Sequence, residues 1–168
     1  MYISYQIHWL VIVDKNGESL RDSIICFDSR AVNIGNDAYE KLGESKCMSH
    51  LLNSPGNFTA SKLKWVKENE PEVYEKIYKY MLPGDFIAYK LTGEINTTRN
   101  GLSEGIIWDY KNNEIANWLL DYYGINPNLT PDLVDNFTNQ GATNSKSSEE
   151  TGLNIGIPIT YRAGDQPN

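Results

Sequence analysis

Apolar and polar positions follow two different periods along this chain, and the change of period divides it into three parts. The opening run Tyr2-Ile3-Ser4-Tyr5-Gln6-Ile7-His8-Trp9-Leu10-Val11-Ile12-Val13 is rich in β-branched and aromatic side chains and predicts a strand from Ile3 to Val13. Period-2 geometry puts Ser4, Gln6 and His8 on one face of that strand and Tyr5, Ile7 and Trp9 on the other, so a polar face appears where burial is expected. Asn16-Gly17 supplies a turn, and Ser23-Ile24-Ile25-Cys26-Phe27-Asp28 reads as a return strand, making a hairpin or two neighbouring strands. Residues 1–34 are therefore expected to be β-rich.

From about Gly35 to Thr151 the signals become helical. Thr59 or Ser61 can cap a helix carrying Leu63, Trp65 and Val66; Pro71 suits the first turn of another, in which Val73, Tyr74, Ile77 and Tyr80 form a stripe until Pro83-Gly84 breaks it. Asp85 can cap the run that follows, with Gly93 as its stop, and Asn113 can cap Glu114 to Tyr123 with Gly124 in the same role. Thr97 to Trp108 reads as loop and short strand, and the Asn-, Thr-, Ser- and Pro-rich stretch 126–148 as surface connection. Residues 152–168 form the third part: a strand from Ile157 to Tyr161, then the turn Gly164-Asp165-Gln166-Pro167-Asn168. A carboxylate just past a strand is where α/β proteins place much of their chemistry.

Composition narrows the function. With 168 residues, 40% hydrophobic and 22% charged, the chain can bury the core of one domain. Its net charge of −7, without a basic stripe, argues against nucleic acid and against an anionic membrane as partners. The N-terminal apolar run is interrupted by Gln6, His8 and Asp14 and has no basic segment before it, so the expected location is cytoplasmic. Cys26 and Cys47 fit packed, reduced thiols. The aromatic stripe in Lys64 to Tyr80 reads as core with a solvated charged face, and His50 as a satisfied core or boundary group. No Cys/His/Asp cluster has metal-ligand spacing, and no glycine-rich loop followed by Lys suggests a phosphate cradle. From the residues alone, Asp165 reads as a turn residue more readily than as a base, and His8 as structural.

Four stretches change that balance: "ISYQIHWLVIVD", "FDSRA", "NFTASKLKWVKENEPEVYEKIYKYMLPGDFIAYKLTGE" and "GIPITYRAGDQPN". In this order and at this spacing they resemble the N-terminal domain of the FGGY carbohydrate kinases, most closely the xylulokinases, over nearly the whole chain. The resemblance implies an α/β fold, an incomplete actin-like, ribonuclease-H-like lobe carrying a mainly helical insertion. It also implies phosphorylation of a sugar hydroxyl with ATP and Mg²⁺ in the parent enzyme. The resemblance further implies that the Asp of the family's Gly-Asp-Gln or Gly-Asp-Asn turn is a general base, which here would be Asp165. The Gln-Met-His segment that lines the ketose site corresponds to Gln6-Ile7-His8, so Ile7 and His8 are expected to touch sugar. Gln166 stands where a residue commonly contacts substrate, and Gln6, Asp28 and Arg30 are possible supporting residues.

The chain departs from the family pattern at Trp9, where a Gly is usual; at Cys26, where a Trp is usual; and at Asn57, where small or aromatic residues are preferred. The resemblance begins behind the family's glycine-rich phosphate turn and omits its adenine-holding lobe. The expectation is a fragment of a kinase's first domain that binds no cofactor tightly and is inactive alone. D-xylulose is the expected sugar of the parent; ribulose, fuculose, gluconate and glycerol remain alternatives. A non-catalytic sugar-binding domain, or an interaction module that self-associates through exposed sheet edges, are the other readings.

Overall fold

The computed structural model describes residues 1–166. Strand β1 (Tyr2–Tyr5) is followed by a bend over residues 6–9 and then by β2 (Val11–Val13), so the long first strand is two short ones. His8 has φ 67°, a left-handed value that ends a ladder and that a non-glycine residue keeps only when its surroundings hold it. Ile3 and Tyr5 are buried on one face of β1, but Ile7, His8 and Trp9 lie on the bend instead of alternating along a strand. The Asn16-Gly17 turn forms, Gly17 N–H donating to Asp14 O at 3.0 Å. Among the described residues the return segment meets its neighbour through the single bridge Leu10–Ile24, with Val13–Ser19 bridging ahead of it, so it is not a full hairpin strand.

Helices α1 (Val32–Leu42), α2 (Glu44–His50), α3 (Thr59–Asn69) and α4 (Pro71–Tyr74) follow. Phe58 is the N-cap of α3, in place of the expected hydroxyl, because Thr59 Oγ1 donates to Trp9 O at 3.2 Å and Ser61 Oγ to Pro55 O at 3.1 Å. The stripe ending at Tyr80 is not one helix. Helix α4 stops at Tyr74, and Tyr80 lies in β3 (Lys79–Met81), antiparallel to β2, where it is fully buried with its hydroxyl 2.8 Å from Thr130 Oγ1. Pairing with β2 outweighs the helical period.

Helix α5 (Pro83–Thr92) ends at Gly93, whose φ of 84° is the left-handed cap expected of a glycine there. Asp85 is the third residue of α5, not its cap, and its carboxylate reaches back to Leu82 N–H at 3.4 Å and accepts from Thr97 Oγ1 at 2.9 Å. Beyond it come β4 (Asn96–Thr98), α6 (Arg99–Glu104), β5 (Trp108–Asp109), β6 (Glu114–Ile115) and α7 (Asn117–Tyr123). The expected start of α7 at Asn113 moves to Asn117, since Glu114 and Ile115 pair with β5. Its stop at Gly124 stands. Strand β7 (Asp132–Val134) lies parallel to β4, and α8 (Ser145–Thr151) leads to β8 (Tyr161–Gly164).

The last strand thus begins where the expected one ends. Residues 157–159 run beside 140–143, with Gln140 N–H donating to Ile159 O and Ile159 N–H to Gly141 O, both at 2.8 Å, and only Ala142–Pro158 forming a bridge. Strand β8 is parallel to β1, with Tyr2 opposite Tyr161 and Tyr5 opposite Gly164. Its Arg162 is buried and faces buried Asp85 of α5 at 3.5 Å, which is how a strand carrying an arginine fits an interior. One core joins α3 and α7 to Leu10 and Ile12; a second, of Ile3, Tyr5, Leu82, Ala88 and Ile159, lies under β1 and β8. Among the described residues no helix is long and apolar enough to cross a membrane.

Candidate functional site

Parallel pairing of β1 with β8 in this register brings the residues after both strands to one sheet edge. Gln6, Ile7 and His8 leave β1 there, and Asp165 and Gln166 leave β8. The ladder runs one step further, Asp165 N–H donating to Tyr5 O at 2.7 Å. Gly164 admits no side chain: a Cβ would stand 1.7 Å from Ile7 Cγ2, so the glycine before Asp165 is what lets Ile7 lie across β8. Asp165, Gln166 and Gln6 are exposed, and Ile7 and His8 half-buried. Pro167 and Asn168 of the same turn lie outside the described residues.

His8 is fixed on several sides. Its Nδ1–H donates to Glu104 O at 2.9 Å, its own carbonyl accepts from Lys62 Nζ at 2.6 Å, and its ring meets Phe58 edge-on at 4.3 Å. Burial pushes the imidazole pKa down and the Lys62 ammonium adds to this; the Glu104 carbonyl and the Asp165 carboxylate only partly oppose them. The ring is therefore neutral, with its proton on Nδ1 and Nε2 left as an acceptor for a hydroxyl. Lys62 is itself fully buried, which lowers its pKa to about 8.

Glu104, at the end of α6, was not visible in the sequence. Its carboxylate accepts Gly164 N–H at 2.8 Å and Tyr5 O–H at 2.6 Å. On its other side opens a cavity of about 220 Å³ lined by His8, Leu52, Phe58, Ser103, Glu104 and Ile106 among others. Leu52 and Ile106 share with His8 a positive φ, at 60° and 57°, so three strained non-glycine residues meet at one small cavity. Neither Asp165 nor Ile7 lines it.

Asp28 and Arg30 pair with each other. Arg30 Nη2 lies 2.7 Å from Asp28 Oδ2, its guanidinium covers the Trp65 ring at 4.5 Å, and its hydrogen bond holds the Asp28 carboxyl below the usual carboxylate range. Asn57, at one of the unusual positions, donates to Asp28 O at 2.7 Å. His50 is taken up by Asp109, Nδ1 to Oδ2 at 2.8 Å, and contributes nothing to this edge. The arrangement therefore sets a neutral imidazole and an exposed carboxylate beyond the carboxyl ends of two paired parallel strands.

The family model for the FGGY family of carbohydrate kinases, N-terminal domain, matches residues 1–168. The xylulose kinase of Staphylococcus xylosus is 31% identical over 162 residues, which are 96% of this chain and 33% of that protein. Among solved structures, the xylulose kinase of Rhodospirillum rubrum aligns with a TM-score of 0.88 at 25% identity, covering 96% of this chain and 33% of that one. The glycerol kinase of Plasmodium falciparum aligns with a TM-score of 0.86 at 21% identity over 98% of this chain and 33% of its own, a likeness of fold. The chain spans about a third of the length of the relatives it matches.

Proposed function

Because the chain belongs to the FGGY carbohydrate kinases, we propose that it supplies the sugar-holding part of an ATP-dependent kinase acting on a ketopentose, D-xylulose, with Asp165 as general base. Its fold is the α/β, actin-like and ribonuclease-H-like lobe of that family. The observation that carries the reading is the register of β1 and β8, which sets Ile7 and His8 beside Asp165 at the carboxyl ends of two parallel strands.

A sugar hydroxyl is a poor nucleophile at neutral pH. Asp165 accepts its proton as the oxygen bonds to the γ-phosphorus of ATP, while ADP leaves. His8 orients the sugar through Nε2, Ile7 covers it, and Gln166 contributes a polar contact. Among the described residues no three His, Cys, Asp or Glu side chains converge as a cation site. This segment's part in the reaction is to orient the sugar and accept its proton. ATP is the co-substrate, and its contacts fall to the part of the enzyme that this chain does not span.

A chimera in which this chain replaces the matched third of the Staphylococcus xylosus xylulose kinase tests the assignment. Asp165→Asn keeps the shape but cannot take a proton, so kcat should fall by about 10²- to 10⁴-fold with the ketose KM little changed. His8→Ala should instead raise KM, by a factor corresponding to about 1–3 kcal/mol for a lost hydrogen bond, and leave kcat nearer its starting value. Turnover by Asp165→Asn within a few-fold of the unchanged chimera would falsify the base assignment.

A further inference from the structure

Glu104 touches both halves of the site. Its main-chain oxygen accepts His8 Nδ1–H at 2.9 Å, and its carboxylate accepts Gly164 N–H at 2.8 Å and Tyr5 O–H at 2.6 Å. Successive N–H groups of a strand point to opposite sides. Asp165 N–H points across to Tyr5 O at 2.7 Å, so Gly164 N–H points away from β1, to a side where no strand pairs with β8 among the described residues. Glu104 supplies the acceptor that a neighbouring strand would otherwise provide. Burial pushes the Tyr5 phenol far above its ordinary value, with the Asp85 and Glu104 carboxylates adding to this, so it stays a fixed donor to Glu104.

We propose that Glu104 is a positioning residue for the sugar phosphorylation: its carboxylate clamps the backbone at Gly164 and so fixes where Asp165 stands relative to a hydroxyl held by His8. The inference rests on the reading of Asp165 as base. A proton acceptor displaced by about 1 Å can lose on the order of 10²-fold in rate without leaving the site. The clamp is built to prevent that. One oxygen holds the strand that carries the base, the other is held by the strand that carries the sugar contacts, and both originate on α6.

Two measurements test this together. In the chimera, Glu104→Ala should lower kcat by about 10- to 100-fold while the ketose KM stays within about threefold. Glu104→Gln should restore most of the rate, since its amide oxygen can accept Gly164 N–H and its NH₂ can donate to the Tyr5 oxygen. Glu104→Asp, one methylene too short to reach both donors, should fall between. A merely structural role would lower the yield of folded protein without this split or this rescue. In the ¹⁵N-labelled chain itself, the Gly164 amide proton should shift with pH as Glu104 titrates, and stop doing so in Glu104→Gln.

Glu104→Ala or Glu104→Asp turning over within about twofold of the unchanged chimera, while Asp165→Asn is inactive, would overturn the inference and leave the base standing. A Gly164 amide that ignores pH would overturn it at the level of the clamp. If Asp165→Asn itself retains turnover, the base assignment falls first and the inference with it, a result recognisable without reference to Glu104.

Discussion

His8 and Lys62 form a pair in which one residue's strain is held by the other's burial. His8 keeps φ 67° while its carbonyl accepts from Lys62 Nζ at 2.6 Å, and Lys62 is buried with its pKa lowered to about 8, chiefly by desolvation, with Cys26 and Asp28 pulling the other way. The sign of the pH effect follows. Below about 8 Lys62 is charged in both folded and unfolded chains, and the full cost of burying the ammonium is present. Between about 8 and its ordinary 10.5 the unfolded chain binds the proton more tightly, so this group makes stability rise with pH. Lys62→Met should remove that contribution: denaturant midpoints of the two proteins should diverge in pH dependence above about pH 8. Parallel curves would show that the lysine is not desolvated as its position requires. The neutral amine still donates to His8 O, so the bend at His8 should persist through the titration.

Between elements, the buried pair Asp85–Arg162 ties α5 to the strand carrying the proposed base. Arg162 Nη2 also donates to Asn96 Oδ1 at 2.8 Å, and Asp85 accepts from Thr97, so the pair is built into β4 as well. Asp85→Asn leaves a buried guanidinium without its counter-charge and should cost about 3–5 kcal/mol in urea unfolding. Asp85→Asn combined with Arg162→Met should recover much of that loss, and a single-variant cost below about 1 kcal/mol would mean that Arg162 is satisfied by Asn96 alone. This pair also shows why part of the fold was legible in the sequence and part was not. Gly93 and Gly124 end their helices as read, because a left-handed cap is a local demand that one residue type meets. Strand β8 was placed four residues early, because Ile157 to Tyr161 has the apolar pattern while Tyr161 to Gly164 is strand only through pairing with β1 and through a partner for Arg162 from α5. Tyr80 likewise follows the helical period and is claimed by β2. Of the proposed site, Ile7, His8 and Asp165 are expected from the family resemblance, whereas Glu104 answers an N–H that faces away from β1 once β1 and β8 have paired, and no local pattern announces it.

At the scale of the whole molecule, the sheet that carries the site is only two strands wide. Among the described residues β1 pairs with β8 alone. Tyr2 on β1 is 75% exposed, and Phe137, also 75% exposed, stacks on Tyr161 of β8 with ring centroids 4.8 Å apart, so the flanks of this pair present aromatic surface. Two-stranded sheets are marginal by themselves and their edges recruit further strands. A net charge of −7 opposes that recruitment between copies of the chain, and the opposition weakens as salt shortens the reach of the charges, to about 3 Å at 1 M against about 10 Å at 0.1 M. Sedimentation velocity should therefore show the isolated chain associating as its concentration rises, and more so in high salt than in low. Tyr2→Lys, which puts a charge on the β1 face, should shift the distribution back towards monomer. A single monomeric species at high concentration in both salts would mean that the two-stranded edge is already protected, and that the narrow sheet is a stable architecture in its own right.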